Sequence, residues 1–368
     1  MSLEYAYRKY LETTNLVRFI DSRVKNLKIK YEILSSLERF IIVNVQSPDA
    51  WQDNWNVLVP FLESREKFEE ELSKYKVITY TDLLNNLPRL SKNLKLPQFK
   101  VLQPRKGNQF YTLVFGSFRK EISIARWEAL RTRFEISMAP ENVEYIALLE
   151  ERLAASNEFI SVETDERQVT SQTPLFMEDL LLIAALKYEA MLPRGQHWAI
   201  PLEEYKQFNP DIEAFASPFN SQIILLGTEG YYCSIIEEDI LFGSIGDFFD
   251  QDFTNEFFDG VRVVINPPFI ELLLKESAKV ALIINEPIPC ISKRNTDSAL
   301  LNTDIPKRNT KEFVFYGPYW TDASFFRILE SEFEYEVLEK GTYYYEDPNR
   351  NTIIEARFSS VRFYSEKF

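Results

Sequence analysis

The sequence predicts an α/β protein in which an N-terminal, mainly helical domain precedes an open α/β sheet. From Tyr5 to about Tyr75, apolar residues recur three and four positions apart, which is the spacing of amphipathic helices. In the second half, short strand patterns alternate with helical patterns. The polar stretch Ser161–Pro174 separates the two regions. Because 368 residues suit two domains, we place them at residues 1–174 and 175–368.

The composition is that of a globular protein, with 45% hydrophobic residues. No apolar stretch is long enough to span a bilayer, and the N-terminus is charged from Glu4 onward, so neither a membrane span nor a secretory signal is predicted. The only cysteines, Cys233 and Cys290, exclude a disulfide framework and favour a reducing compartment. We therefore predict an intracellular protein, nuclear or cytoplasmic, in which both cysteines are small buried apolar residues.

The charge and the histidine content exclude several classes of function. A net charge of −14 argues against broad, nonspecific coating of nucleic acid, although it leaves room for a local basic site. His197 is the only histidine, so hydrolysis by a histidine triad and histidine-based zinc binding are not expected. We predict no metal site and a structural role for His197.

Local positive charge is found in two stretches of the first half. Residues 88–106 contain six basic residues and no acidic ones, and the helical pattern ISIARWEALRTRF, which follows the hairpin pattern QFYTLVFGSF, is basic as well. Basic residues interleaved with aromatic ones suit single-stranded RNA, because phosphates pair with the charges and bases stack on the rings. The alternative is an ordinary solvated face. The RNA-binding candidates are Arg105, Lys106, Arg119, Lys120 and Arg126, with Lys293 and Arg294 in a later loop.

The stretch VRVVINPPFIELLLKESAK, residues 261–279, predicts a strand and a helix joined by an unusually stiff loop. Most strand-to-helix turns use Gly, Asp or Ser, which tolerate unusual dihedral angles or cap the helix. Here Pro267 and Pro268 fix two φ angles and remove two backbone donors. The loop therefore holds Asn266 and Phe269 in fixed positions.

Two further segments lie upstream of this loop, at Asp211–Asn220 and at Tyr232–Ser244. In open α/β sheets, ligands bind beyond the carboxyl ends of the strands, so we expect the three segments to converge on one crevice. An acidic residue there, Glu213 or Asp239, hydrogen-bonds cofactor hydroxyls or an ammonium group. Gly243 lets the backbone approach a ligand closely. The alternative for both acids is a solvated carboxylate or a helix cap.

The rigid loop suits methylation of an exocyclic amine. The lone pair of the adenine amine is delocalised into the ring, so the amine attacks a methyl donor poorly. Acceptance of its hydrogen bonds by the Asn266 side-chain oxygen and the Pro267 carbonyl favours tetrahedral nitrogen and aims the lone pair. Phe269 stacks on the extruded base. Positioning is most of the catalysis, so a catalytic histidine is not needed.

Four short motifs, in order, resemble the catalytic region of the phosphorylated-CTD-interacting-factor family, whose members are cap-specific adenosine N6-methyltransferases. They are Phe215-Ala-Ser-Pro-Phe-Asn220, Tyr232-Cys-Ser234, Asp239 with Phe242-Gly-Ser244, and Asn266-Pro-Pro-Phe269. The resemblance is good from about Leu175 to Lys279. It does not include a WW domain, so recognition of a phosphorylated polymerase tail is not expected.

This resemblance implies a Rossmann-like core that binds S-adenosylmethionine and releases S-adenosylhomocysteine, with a helical domain that helps to hold capped RNA. The implied substrate is the first transcribed adenosine beside the 7-methylguanosine cap, usually already methylated on its ribose. The implied catalytic residues are Asn266, Pro267, Pro268 and Phe269. The residues expected around the cofactor are Glu213, Phe215, Ala216, Ser217, Pro218, Asn220, Asp239, Phe242, Gly243 and Ser244.

Two alternatives stay open at this stage. One is a noncatalytic relative that binds RNA or a partner protein, because a shared fold does not guarantee activity. An intact Asn-Pro-Pro-Phe loop argues against it, since an inactive relative is free to lose that loop. The other is a DNA adenine N6-methyltransferase, which shares the tetrapeptide. The Phe-Ala-Ser-Pro-Phe-Asn segment argues against this alternative, because DNA enzymes more often carry a glycine-rich loop there.

Overall fold

The structure is a computed structural model. It describes residues 3–45, 73, 82, 94–105, 107, 109–139, 176–191, 198–255, 258–285, 311–347, 352–356 and 358–365. The predicted polar linker, residues 161–174, lies outside this set, as do Lys106, His197, Cys290, Lys293 and Arg294.

The chain folds as two compact units that are interleaved along the sequence. The first comprises Met1–Glu121 with Val143–Gln196, and the second comprises Ile122–Asn142 with His197–Phe368. The limits of these units differ from the boundary predicted after residue 174, because the apolar helix after that position belongs to the first unit and the basic helix before it belongs to the second.

Among its described residues, the first unit has the long helices α1 (Leu3–Arg23), α2 (Leu27–Val45) and α4 (Met177–Ala190). Helix α4 is buried on nearly all sides, as expected for a helix that is apolar all round. It packs against α1, where the buried Thr13 hydroxyl donates to the Ala190 carbonyl over 2.8 Å. The helices predicted in these ranges are confirmed.

A small antiparallel sheet of order β1-β2-β3 follows α2 in the chain. Its strands are Phe99–Leu102, Phe110–Phe115 and Phe118–Ser123. Gly116 connects β2 and β3 with φ +60, and an added Cβ would lie 2.8 Å from the Tyr7 hydroxyl and from Pro97. The predicted hairpin is therefore confirmed, with a glycine at its turn for both conformational and steric reasons.

The second unit is built on a six-stranded sheet of order β5-β4-β6-β7-β11-β8. The strands β4, β5, β6 and β7 pair in parallel, whereas β11 runs antiparallel to both of its neighbours. A separate antiparallel hairpin joins β9 (Tyr344–Asp347) and β10 (Thr352–Glu355). The remaining strands are β4 (Ile212–Ala214), β5 (Tyr231–Tyr232), β6 (Arg262–Ile265), β7 (Glu312–Pro318), β8 (Glu334–Leu338) and β11 (Ser360–Tyr364).

Apolar layers cover both faces of this sheet, because successive side chains of a strand point to opposite sides. On one face, Val263, Ile265 and Phe315 pack against α6 (Glu271–Asn285) and α7 (Ser324–Glu330). On the other, the alternate residues, Val264 in β6 among them, pack against α5 (Leu202–Phe208) and the tyrosines of the β9 hairpin. Helix α3 (Ile124–Ser137) completes the unit. The predicted mixed α/β class is confirmed.

Within the described part of the chain, no helix combines the length and the apolar character that crossing a bilayer would require.

We expect two neighbouring isoleucines of α6 to respond very differently to truncation. Ile284 is fully buried and Ile283 is 40% exposed. Ile284→Ala should lower the free energy of unfolding by about 2–5 kcal/mol, because it removes buried methyl groups and leaves a cavity. Ile283→Ala, in the same helix, should change it by less than about 0.5 kcal/mol. Urea denaturation measures both, and equal losses would contradict the described helix face.

Candidate functional site

The sheet topology defines a crevice between β4 and β6. The chain passes from β4 to β5 on one side and then returns to β6 on the other side of β4, so the strand order reverses between these two strands. In α/β sheets this is the position where ligands bind, outside the carboxyl ends of the strands. The loops that begin at Phe215 and at Asn266 start at this point.

Asn266 follows the last residue of β6, and its side-chain amide has a defined orientation. Its Nδ2 donates to the Trp198 carbonyl over 3.1 Å. Because a carbonyl only accepts hydrogen bonds, the nitrogen must be the atom that faces it, and Oδ1 must face away. Oδ1 is buried, and among the described residues no donor reaches it. A buried acceptor without a donor needs an explanation, and at the carboxyl edge of the sheet a ligand that donates a hydrogen bond would supply one.

The residues after Asn266 form the predicted strand–turn–helix connection. Pro267 is buried, and the Pro268 carbonyl accepts from the Ile270 N–H over 2.6 Å just before α6 begins. Phe269 is half-buried. The stiff loop between a strand and a helix is confirmed, while the catalytic roles of its residues stay a prediction.

Phe269 belongs to an aromatic group made of Trp198, Phe269, Tyr345 and Phe358. The centroid of the Tyr345 ring lies 5.9 Å from that of Phe269 and 5.9 Å from that of Trp198, and the centroids of Phe358 and Phe269 are 5.6 Å apart. Sequence analysis did not find this group, because its members come from three distant parts of the chain. The run Tyr343-Tyr-Tyr345 was the only local signal.

The loop after β4 begins with backbone strain. Phe215 has φ +61, a left-handed conformation that is rare for a bulky side chain. Its ring packs against Phe248 and Phe249, with centroids 5.0 and 5.4 Å away. Strained residues of this kind cluster at ligand sites, and this one lies at the crevice.

The buried segment from Ala216 to Asn220 is held by its own hydrogen bonds. Asn220 Oδ1 accepts from the backbone N–H and from the hydroxyl of Ser217, each over 2.7 Å. The Ser217 oxygen in turn accepts from the N–H groups of Phe219 and Asn220. Because these polar atoms are used within the loop, Ser217 and Asn220 shape the segment that also contains the buried Pro218.

Glu213 is buried and fixes the loop from inside. One carboxylate oxygen accepts from the Tyr205 hydroxyl over 2.8 Å, and the other accepts from the Ser221 hydroxyl and the N–H groups of Gln222 and Ile223. Burial raises the pKa of Glu213, while the hydrogen bond from Ser221 and the other donors act in the opposite direction. The carboxylate is therefore not a solvated acid, and it holds the loop after β4. Its predicted contact with a cofactor stays a prediction.

Two arginines of α3 hold the same region. The Arg126 guanidinium is buried and donates to the carbonyls of Ser221 and Pro218, over 2.5 and 3.3 Å. Burial lowers the pKa of Arg126 to about 10, with the charge of Glu213 opposing the shift. Arg126 is therefore not available to RNA, contrary to the prediction, because its guanidinium is buried and donates its hydrogen bonds to backbone carbonyls.

Arg133 joins this region to the second predicted cofactor segment. It donates to the carbonyls of Gly230 and Gly227 over 2.7 and 2.6 Å. Its guanidinium also lies against Gly243, where an added Cβ would come within 2.3 Å of Nη1. Gly243 therefore allows a close approach as predicted, but in this structure the approaching group is an arginine.

The second segment is a 3-10 helix, Glu237–Phe242, that ends at Gly243. Asp239 and Phe242 are fully buried, so Asp239 is not a solvated acid. Ser244 forms a parallel bridge with Tyr232, and its hydroxyl is hydrogen-bonded to that of Ser234 over 2.9 Å. These contacts bring the segment to the end of β5, next to the crevice strand β4.

Asp247 is a further acidic residue of this region that sequence analysis missed. It caps the 3-10 helix Phe248–Asp250, where its Oδ1 accepts from the Phe249 N–H over 2.9 Å. The side chain is only half-buried, and burial is the main cause that raises its pKa. Because Phe249 also packs on Phe215, Asp247 lies near the crevice. An acid directly after Gly246 was the available signal.

The other predicted RNA-binding residues have separate outcomes. Lys120 is buried and pairs with Glu189 over 3.4 Å, so it is not available to RNA. Arg105 and Arg119 are exposed and stay candidates. Lys106, Lys293 and Arg294 cannot be placed, because they lie outside the described residues.

Cys233 is buried, and burial raises its pKa, which confirms the prediction of a small apolar role. In the described ranges, no three His, Cys, Asp or Glu side chains cluster in a way that would hold a metal ion.

The fold and the site define an α/β protein with a ligand crevice at the carboxyl edge of a mostly parallel sheet. The chain belongs to the phosphorylated CTD interacting factor 1 WW domain family, whose model matches residues 162–346, half of the chain. The family suggested by the motifs is thereby confirmed, and the matched range includes both crevice loops. Its description names a WW domain and a phosphorylated CTD, so membership does not by itself assign a reaction. No curated protein matches the chain.

We expect Gly243 and Gly246 to differ sharply in their tolerance of alanine, although both have φ +94. Gly246→Ala should cost about 1–2 kcal/mol of stability from backbone strain alone, since its nearest neighbour atom lies 3.6 Å from the added Cβ. Gly243→Ala should cost about 3–5 kcal/mol, because the methyl group also displaces Arg133 from two carbonyls. Thermal and urea unfolding measure both variants. Equal costs would show that Arg133 does not hold this segment.

We expect Asp247→Asn to stabilise the protein at neutral pH. A carboxyl group with a raised folded-state pKa destabilises the fold where it is ionised, and this cost disappears as pH falls below the ordinary aspartate value of 3.8. Asparagine keeps an acceptor for Phe249 but does not ionise. Melting temperatures between pH 4 and 7 should therefore show a gain that shrinks toward low pH. Exposed Asp322→Asn is the control, and a gain independent of pH would contradict this cause.

Proposed function

We propose that this protein is an S-adenosylmethionine-dependent adenine N6-methyltransferase that acts on RNA, at the cap-adjacent first transcribed adenosine. The observation that carries the proposal is the buried Asn266 Oδ1 at the carboxyl end of β6, an oriented acceptor to which none of the described residues donates. The exocyclic amine of adenine supplies the donor that this acceptor lacks. Membership in the family supports a connection with capped transcripts.

The Asn266 side-chain oxygen and the Pro267 carbonyl would act on the amine by accepting a hydrogen bond from each of its two N–H groups, and one amine proton would pass to solvent once the methyl group is transferred. Acceptance at fixed positions favours tetrahedral nitrogen and directs the lone pair toward the methyl donor. Because both acceptors are held by the rigid loop, little reorganisation is needed when the base arrives. A neutral amine becomes a better nucleophile in this way without a strong general base.

The half-buried rings of Trp198, Phe269 and Phe358 suit a purine removed from its stack. Base-modifying enzymes expose their target by extruding it, and aromatic side chains replace part of the lost stacking. Phe269 is the ring closest in sequence to Asn266, so we assign it the stacking contact.

The crevice also suits the cofactor, which supplies the methyl group when bound. Four parallel strands with a reversal between β4 and β6 support a Rossmann-like core. The strained Phe215 would line the cofactor site, and the half-buried Asp247 carboxylate suits the ammonium group of an amino acid moiety. Ala216, Pro218 and Gly243 would contribute backbone and apolar surface.

RNA contacts are assigned to exposed basic residues of the small sheet, in the connection between β1 and β2 and in β3. Arg105 and Arg119 remain from the predicted set, and phosphates of a single strand would pair with them. The sequence alone did not predict recognition of a phosphorylated polymerase tail, but the family description names a phosphorylated CTD, so we add a protein partner of this kind to the proposal.

A noncatalytic binding subunit is the second candidate. The observation in its favour is that Glu213, Ser217, Asn220 and Ser244 use their polar atoms within the protein. A cofactor would then rely on backbone groups, apolar surface and Asp247.

One assay tests the proposed reaction. The protein is incubated with isotopically labelled methyl donor and matched capped RNA, uncapped RNA and duplex DNA, and the modified nucleoside is identified by mass spectrometry. Label in N6-methyladenosine from capped RNA supports the proposal. Label from duplex DNA only would favour the DNA enzyme, and no label with any substrate would favour the noncatalytic subunit.

We expect Asn266→Ala to lose methyl transfer while it keeps cofactor affinity, because the amide contacts the amine and not the donor. The rate should fall at least about a hundredfold, as when a fixed polar group is removed from a reaction centre. Single-turnover assays and calorimetry measure the two quantities. The exposed Asn255→Ala serves as the control. Transfer at the wild-type rate in Asn266→Ala would refute the assigned role.

A further inference from the structure

The orientation of the Asn266 amide is determined by a different part of the chain. Its Nδ2 donates to the Trp198 carbonyl, and a flipped amide would point Oδ1 at that carbonyl instead. Two acceptors would then face each other and a buried N–H group would lose its partner, which is unfavourable. The hydrogen bond to the Trp198 carbonyl therefore fixes the amide so that Asn266 presents its oxygen, an acceptor, to the site and not its nitrogen, a donor.

The Trp198 carbonyl is itself held by the hairpin of β9 and β10. Ala199, the next residue, exchanges two backbone hydrogen bonds of 2.8 Å with Glu346 of β9. The Glu346 carboxylate also accepts from Gln222 Nε2 over 2.5 Å and from the Leu202 N–H over 3.4 Å. The segment that begins at Trp198 is thus bound to the hairpin through both backbone and side-chain contacts.

Tyr345 connects this support to the aromatic group. Its buried ring contacts Trp198 on one side and Phe269 on another, and its hydroxyl is hydrogen-bonded to the Ser360 hydroxyl over 2.8 Å. Ser360 belongs to β11, so the ring is anchored to the central sheet. A change at Tyr345 therefore reaches both the carbonyl that orients Asn266 and the ring beside it.

We propose that Trp198 and Tyr345 are positioning residues that make the site select a base with an exocyclic amine over a base with an oxo group at the same position. The inference rests on the proposed function and adds the origin of its base specificity. An amine donates to Asn266 Oδ1, whereas an oxo group would place a second acceptor against a buried one. The oxo base would leave both oxygens without a donor, and such mismatches are strongly rejected in sites built for a hydrogen bond.

The test compares adenosine 5′-monophosphate with inosine 5′-monophosphate, which carry an amine and an oxo group at C6 and consequently differ in the hydrogen on N1. Purine riboside 5′-monophosphate, which lacks the amine but keeps the bare N1, separates the two differences and should also bind less tightly than the adenine nucleotide. Calorimetry on the full chain should give at least about a tenfold preference for the adenine nucleotide. Tyr345→Phe, which keeps the ring and loses only the hydroxyl, should retain this preference. Tyr345→Leu, which removes both ring contacts, should reduce it to less than about threefold. Ile353→Ala, an exposed change in the same hairpin, is the control.

A second readout does not require a bound nucleotide. The protein is labelled with ¹⁵N-asparagine, and the signal of the Asn266 side-chain amide is assigned by its loss in Asn266→Asp. In the wild-type protein, the hydrogens of this amide should exchange slowly with solvent, because Nδ2 donates to the Trp198 carbonyl. Ala199→Pro removes the N–H that donates to Glu346 and should accelerate this exchange. Circular dichroism and melting curves identify any variant that fails to fold. If Ala199→Pro fails to fold, the exchange rate of the Asn266 amide is measured in Tyr345→Leu instead.

Each contrary outcome has a defined meaning. Equal affinity for the two nucleotides, or binding of neither, would overturn the proposed selection. An unchanged preference in Tyr345→Leu, or an Asn266 amide that exchanges as fast as exposed asparagines, would overturn the positioning role. Adenine preference without methyl transfer to any substrate would instead refute only the proposed function.

Discussion

The parallel pairing of β4 with β6 is the constraint on which the rest of the second unit depends. Its register sets Ala214 beside Ile265, so the two loops that follow begin next to each other. Because the strand order reverses at the same place, the chain leaves β4 toward β5 and leaves β6 toward β7, in opposite directions along the sheet. Backbone geometry thereby creates the crevice, and side chains only determine what it can hold.

Support from outside the sheet then fixes the loops around the crevice. Arg126 and Arg133 bind carbonyls from one side, while Glu213 accepts N–H and hydroxyl donors from within. The positively charged arginines thus satisfy backbone carbonyls, and the carboxylate of Glu213 satisfies backbone N–H groups. Either kind of backbone group would be costly to bury without a partner. Through these contacts, Glu213 and Arg126 both hold the loop that follows β4.

The features that the sequence predicted are those whose interactions join residues close together in the chain. The strand β6, the stiff Asn266–Phe269 loop and the apolar α4 depend on neighbours in sequence, so local patterns predicted them. The burial of Arg126, the saturation of Glu213 and the orientation of Asn266 by Trp198 depend on partners that the fold brings from far away. Charge and residue type alone do not distinguish such residues from solvent-facing or ligand-binding ones.

The position of β11 has a consequence for how the protein is made. This strand lies between β7 and β8 and pairs with one edge of each, yet it follows every other described strand in the chain. During synthesis on the ribosome, β7 and β8 must wait for residues 360–364 before either edge is closed. Unpaired edges of this kind can pair with other chains, so β7 and β8 stay open to association until residues 360–364 have been synthesised.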